Sequence, residues 1–301
     1  MAASAEAGDV LAGLPVRRRV RVWAWAPHVV LVVLAAMGVS ALVTNRRFEW
    51  GVVGRYLLSV DVVKGIGVTL GMTAAVMVLS MVLGTVVALM RLSGGRLLSW
   101  SAGLFVWVFR SVPMLVQLLF WYNLAALFPQ LSLGVPWGPR LVTWDTNVLI
   151  SPLMAAVIGL TLHESAFLAE VVRSGIGSVD RGQRDAAMAL GLPPATAFRR
   201  IILPQAMRVI VPPLGNQLIQ LLKATSLVSV IALNDLLYSV QLIYARNFET
   251  VPLLIVAVLW YLVITVVLTA GQRYVERHFG RGHATADTRT VPPRAANGGE
   301  A

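Results

Sequence analysis

The chain has 301 residues, 57% of them hydrophobic and 13% charged, with a mean hydropathy of +0.74. Soluble domains carry charge on about a quarter of their residues, so this composition excludes one, and so much apolar surface excludes a disordered chain. With no cysteine, disulfides, thiolate metal sites and cysteine nucleophiles are excluded as well.

Taken in chain order, residues 22–45 form an uncharged run of 24, preceded by Arg17, Arg18, Arg19 and Arg21. Val39-Ser40-Ala41 resembles a cleavage site, but the run exceeds the roughly 7–15 apolar residues of a signal peptide, so a retained anchor helix is expected. Residues 65–90 give 26 uncharged positions bounded by Lys64 and Arg91. Residues 97–128 contain Arg110 and Pro113 and read as one span broken or kinked at the proline. Residues 146–163 form an uncharged run of 18, whose helix is expected to continue past Glu164 to residue 172. Residues 209–231 are interrupted by Asn216, Gln217, Gln220 and Lys223, and 250–272 are a clean 23. A helix needs about 20 apolar residues to cross a bilayer, and none of the runs has the period-2 alternation of a membrane barrel. The expected fold is therefore an all-α integral membrane protein with six spans.

Placed against these spans, the net charge of +11 sorts by side. With the N-terminus inside, segments 1–21, 91–96, 173–208 and 273–301 carry 17 basic residues, and segments 46–64, 129–145 and 232–249 carry 6. That bias predicts an N-in, C-in topology. The excess charge then serves orientation and contact with anionic membrane lipid, and nucleic acid is not an expected partner. Residues 280–301, rich in Ala, Gly, Thr, Pro and Arg, read as a disordered cytoplasmic tail.

Segment 173–208 has six arginines, two aspartates and no long apolar run. Asp185-Ala186-Ala187-Met188-Ala189-Leu190 favours helix, and Gly191 suits its C-terminal cap. Pro193-Pro194 opens a second short helix, 195–202, expected to stop before Pro204. Two short helices meeting at a glycine make a compact knob fit to dock into a partner's groove. An amphipathic loop lying on the bilayer is the competing reading of the same composition.

Asp185-Ala-Ala, then Gly191, then Ile201-Ile202-Leu203-Pro204 resembles the EAA loop of bacterial ABC importer permeases. Ala166-Phe167-Leu168-Ala169-Glu170-Val171-Val172-Arg173, Pro212-Pro213-Leu214-Gly215-Asn216 and 222–231 resemble the polar amino acid branch of that family, as do 67–70 and 110–117 upstream. Asp185 stands where glutamate is usual, Phe167 where tyrosine is common, and Val112 where a threonine-like residue is expected. The resemblance covers 64–279 in collinear order. It implies a five-helix ABC importer permease core at 64–279, with a coupling loop at 173–208. Residues 1–63 then hold the cytoplasmic N-terminus, the anchor helix and an external loop.

The resemblance further implies two ATPase subunits, a second permease (the same chain or a homologue) and an extracytoplasmic solute-binding protein. No P-loop is present, and the only lysines are Lys64 and Lys223, so ATP and its Mg are expected on the partner ATPase and none in this chain. Asp185, Ala186, Ala187, Gly191, Ile201, Leu203 and Pro204 are the implied ATPase-coupling residues. Arg199 and Arg200 are placed to meet acidic groups of the ATPase or lipid.

Polar groups inside spans are costly, so each is a candidate site. Asn216, Gln220 and Lys223 fall at i, i+4 and i+7 on one helical face, and Glu164 follows His163 on the fourth span. A zwitterionic amino acid would be matched by the Glu164 carboxylate and by Lys223 or the amide donors. A structural Glu164–Lys223 pair is the competing reading. Pro113 and Gln117 are expected along the path, and Glu170 is expected to brace the knob through Arg173 or a loop arginine. An opine or related small zwitterion, or a stand-alone secondary transporter, are the alternatives. An enzyme is not expected: His163-Glu164 does not extend to H-E-x-x-H because residue 167 is Phe, and no G-x-S-x-G occurs. His163 is the one histidine of four within the core, so a metal centre is not expected either.

Overall fold

A computed structural model describes residues 25–134 and 140–280. The chain divides into two compact units, one ending at Glu49 and one beginning at Trp50. The first contains α1 (Ala26–Thr44), which starts with a proline in its first turn and has no buried residue. A helix apolar on every side has no face to hide in water, and its mean hydropathy of 2.2 suits lipid. Residues 1–24, with the arginines expected to flank this anchor, and the tail from 281 onward lie outside the described residues.

The second unit is built on α3 (Val60–Leu92) and α8 (Pro152–Gly177), which pack against each other along most of their lengths. At 33 residues α3 is about 50 Å long, more than the roughly 30 Å of a hydrocarbon core. Its buried positions, among them Gly65, Thr69, Met72, Val76, Ser80, Gly84 and Val87, recur every three to four residues. Small residues at this seam let the backbones approach, which is how helices gain contact in lipid. A Cβ on Gly84 would stand 2.9 Å from the Leu168 Cβ and from the Ser165 carbonyl. Likewise, one on Gly175 would collide with Ile210 of α11 (Leu203–Ala224).

The span expected at 97–128 is two helices, α4 (Arg96–Ser111) and α5 (Met114–Tyr122), bent by 100° at Val112-Pro113. Pro113 has no N–H to give a preceding carbonyl, so the break leaves acceptors without their helical donor. The Gln117 amide supplies one, donating to the carbonyls of Phe109 (3.0 Å) and Val112 (2.9 Å). The short α6 (Leu124–Leu127) then leads to a two-stranded antiparallel hairpin, β1 (Gln130–Gly134) and β2 (Arg140–Asp145). The connector between α6 and α7 is thus a short ribbon within an otherwise helical chain. Thr146, in the single-turn α7 (Thr146–Leu149), ties the ribbon base by donating its hydroxyl to the Phe128 carbonyl. The fourth span begins at Pro152, behind a Ser151 cap that accepts from Met154 N–H, and runs to Gly177, five residues beyond the expected end.

Between spans four and five lie α9 (Arg181–Ala189), capped by Asp180, and the single-turn α10 (Pro194–Ala197). The second short helix does not stop before Pro204. A π turn over Phe198–Ile202 joins α10 directly to α11, and the N–H of Leu203 bonds back to the Phe198 carbonyl. Pro204 follows this π turn directly, in the first turn of α11. A 3₁₀ segment (Thr225–Ile231) ends α11, and α12 (Leu236–Asn247) follows at a 44° bend. The expected external loop at 232–249 is therefore mostly helix. Asp235 caps α12 by accepting from Tyr238 N–H, and the Leu236 N–H bonds to Thr69 Oγ1 of α3. Finally α13 (Thr250–Gly280) crosses back, its Trp260 indole bonding to the Leu57 carbonyl at the end of α2 (Trp50–Leu57).

Among the described residues, four helices are long and apolar enough to cross a membrane, and the two bent pairs bring the total to six if each is one span. Three apolar clusters stack along the second unit. One joins α3, α4, α8 and α11 near the knob, one joins α3, α5, α8 and the 3₁₀ segment, and one joins α2, α3, α12 and α13 at the opposite end.

Candidate functional site

The knob is the better-defined of two candidate regions. Gly191 has φ +66°, the left-handed conformation that closes a helix. The N–H of Gly191 bonds to the Met188 carbonyl (2.9 Å) and that of Leu192 to the Ala187 carbonyl (3.1 Å), the paired bonds of a Schellman cap. Ala187 is buried, while Asp185, Ala186, Met188 and Leu190 are exposed. Leu190 is 77% exposed and Met188 68%, so the tip presents two large apolar side chains beside a carboxylate. Arg184 anchors the knob to α8, donating to the Ile176 carbonyl at 2.7 Å. Ile201 and Leu203 are half-buried where the knob joins α11, and Pro204 is exposed.

The second region is a polar layer inside the bundle. Glu164 is 2% exposed, and its Oε2 accepts from the Gln217 amide at 2.6 Å. No lysine or arginine among the described residues comes within 4 Å of that carboxylate. His163 faces α5, with Nδ1 3.1 Å from the Gln117 amide nitrogen. Towards the knob, the Arg110 guanidinium lies 4.9 Å from the centre of the Phe167 ring. Beyond it Glu170 takes two hydrogen bonds from Arg173, the shorter 2.7 Å, with Arg91 at 3.8 Å. These contacts lie within α8 and towards α3, and no knob arginine is among Glu170's ion-pair partners in the described residues.

The structure separates some residues that the spacing had grouped. Asn216, Gln220 and Lys223 do share a face of α11, but it is the exposed face, and Glu164 lies on the other side against Gln217. Asn216 accepts from Gln272 of α13 at 3.0 Å. Gln117 is 5% exposed and holds the α4–α5 break together. The residue that spacing overlooked is Gln217: it lies about 100° around the helix from Asn216, which is enough to turn it to α8. Its signal was present as a fourth polar residue in an otherwise apolar run.

Residues 80–281 match the model for the binding-protein-dependent transport system inner membrane component. The chain is similar to the arginine transport system permease protein ArgU of Corynebacterium glutamicum, 41% identical over 90% of this chain and 83% of that protein. It is also similar to the probable glutamine ABC transporter permease protein GlnM of Bacillus subtilis, 33% identical over 68% and 86%. Among solved structures, an amino acid ABC transporter with histidines aligns with a TM-score of 0.62 and 31% identity, covering 72% of this chain and 94% of that one. The fold, the glycine-capped knob and these matches agree, and the chain belongs to the binding-protein-dependent inner membrane components, the membrane-spanning permeases of ABC transporters.

Proposed function

We propose that this chain is the translocating subunit of an ATP-driven importer whose substrates are amino acids with a cationic side chain, arginine foremost. The observation that carries the substrate reading is Glu164: a carboxylate buried in a span, held by an amide and by no cation among the described residues. A negative charge left without a counter-charge in a bilayer is costly, and a passing guanidinium or ammonium supplies one. The arginine permease among the relatives supports the same class. The exposed face of α11, with Asn216, Gln220 and Lys223, is turned away from Glu164 and is the surface offered to the second permease. A solute-binding protein delivers the substrate from outside. ATP and Mg are held by the ATPase chains, which grip the knob through Asp185, Ala186, Ala187 and Gly191 and rock the permease pair between its two states.

The test is uptake by the assembled importer in proteoliposomes. Labelled arginine uptake is competed by lysine and histidine and not by glutamate. Glu164→Gln keeps the hydrogen bond to Gln217 but removes the charge, and uptake at subsaturating arginine falls about tenfold, the loss of one charge-assisted contact. Unchanged uptake would make Glu164 structural. Uptake without any ATPase would make the chain a secondary carrier.

A further inference from the structure

An open cleft of about 780 Å³ lies where α3 ends and α4 begins, on the knob side of the bundle. Arg91 and Arg96 line it, with Ser99, Trp100, Gly103 and Trp107. Arg96, Trp100, Gly103 and Trp107 recur at i, i+4, i+7 and i+11, so one stripe of α4 forms a wall. Arg91 reaches across from α3 and lies over Gly103, where a Cβ would stand 2.9 Å from its Nη1. The glycine makes room for the guanidinium. Although Arg91 also points towards Glu170, it is 3.8 Å away, and that carboxylate is already held by Arg173 at 2.7 Å. Arg96 is exposed, and among the described residues it has no acidic partner.

Exposed apolar side chains line the same cleft. Trp100 is 68% exposed and Trp107 66%, with Leu97 at 78% and Leu104 at 43% beside them. Tryptophans collect where a bilayer's hydrocarbon meets its headgroups. A free phosphate would use only the two guanidiniums and leave the tryptophan and leucine wall uncovered. A phospholipid uses both halves, with its phosphate between Arg91 and Arg96 and its chains along α4.

We infer that this cleft binds the headgroup of an anionic phospholipid, of the phosphatidylglycerol class, in the leaflet on the knob side. Under the orientation proposed above this is the cytoplasmic leaflet, whose negative lipids attract basic groups at about 1 kcal/mol each. The site lies apart from the polar layer around Glu164, so it concerns what steadies the permease rather than what it carries.

The test needs no transport, so it can fail independently of the importer reading. The full-length chain is purified in mild detergent, offered equal amounts of phosphatidylglycerol and phosphatidylethanolamine, and bound lipid is counted by native mass spectrometry. The wild type retains phosphatidylglycerol preferentially. Arg96→Gln, which alters an exposed side chain and leaves the core intact, weakens that retention about fivefold, and Arg91→Gln does the same. Arg181→Gln, an equal loss of charge at an exposed position of the knob, leaves it unchanged. Equal retention of the two lipids, or an equal loss in Arg181→Gln, overturns the proposal. So does displacement of the lipid by inorganic phosphate in large excess, which would mark a small-anion site. If Arg96→Gln keeps the lipid but weakens capture of the ATPase, the cleft is a protein contact and the lipid assignment falls.

Discussion

At the scale of single residues, the polar groups inside this bundle divide into those that hold the backbone and those left for a ligand. Gln117 belongs to the first kind, because both of its backbone bonds serve the break that Pro113 creates. Replacing it with leucine leaves the Phe109 and Val112 carbonyls without that donor. Each buried polar group left unpaired costs about 1–3 kcal/mol. Gln117→Leu should therefore lower the thermal midpoint of the purified chain without preventing insertion; an unchanged midpoint would mean that the break holds itself. Under the proposed substrate reading, Glu164 belongs to the second kind. Its companion Gln217 turns inward while its neighbour Asn216 faces out, a distinction invisible in a list of polar positions because it depends on which side of α11 meets α8.

At the scale of elements, the knob shows how local chemistry prescribes a shape. Asp180 starts α9, Gly191 ends it, and Pro193-Pro194 begins the next turn, each within a few residues of the group it satisfies. No other atom lies within 4 Å of a Cβ placed at Gly191, so the chain itself would accommodate a side chain there, at the expense of a left-handed backbone. An L-residue in that conformation costs roughly 1–2 kcal/mol, less for Asn or Asp. Gly191→Asp should leave the chain inserted and folded yet abolish ATP-driven uptake, because under the proposed docking a charged side chain would stand at the tip that meets the ATPase. Gly191→Asn carries the same backbone strain without the charge and separates the two causes. Normal uptake in Gly191→Asp would sink the docking model. The π turn at Phe198–Ile202 escaped the sequence reading because a proline after a short helix ordinarily means a stop. Here the helix instead runs on, with the π turn immediately before Pro204.

At the scale of the whole molecule, the second unit is a bundle with a ribbon at one end and a knob at the other. The chain lacks cysteine, so single introduced cysteines report the side on which each lies. Ser132→Cys, in the exposed part of β1, should react with an impermeant thiol reagent from outside intact cells. Leu190→Cys should react only after the membrane is opened. Reversed labelling would overturn the N-in, C-in topology. The same bundle explains why helices as apolar as α3 and α8 need small residues at their seam: lipid competes for large apolar side chains but cannot follow two backbones into close approach.

Composition, run lengths and the placement of arginines were enough to establish a helical membrane protein and its expected orientation, because the bilayer imposes length and charge rules on each segment separately. The EAA-like spacing with Gly191 was enough for the family and the knob, because a cap is made by residues adjacent in sequence. The tertiary structure decided the rest. The bend at Val112-Pro113 is 100° rather than a mild kink because α5 packs back on α8 and the 3₁₀ segment. The connector at 130–145 became a ribbon through pairing between its own two arms, and 232–249 became helix because Thr69 and α13 hold its start and flank. Glu164 found Gln217 rather than Lys223 because helix rotation, set by packing among α3, α8 and α11, chooses which polar residue looks inward. Segment-by-segment rules are written in the sequence, whereas the partner of a buried charge depends on how the segments meet.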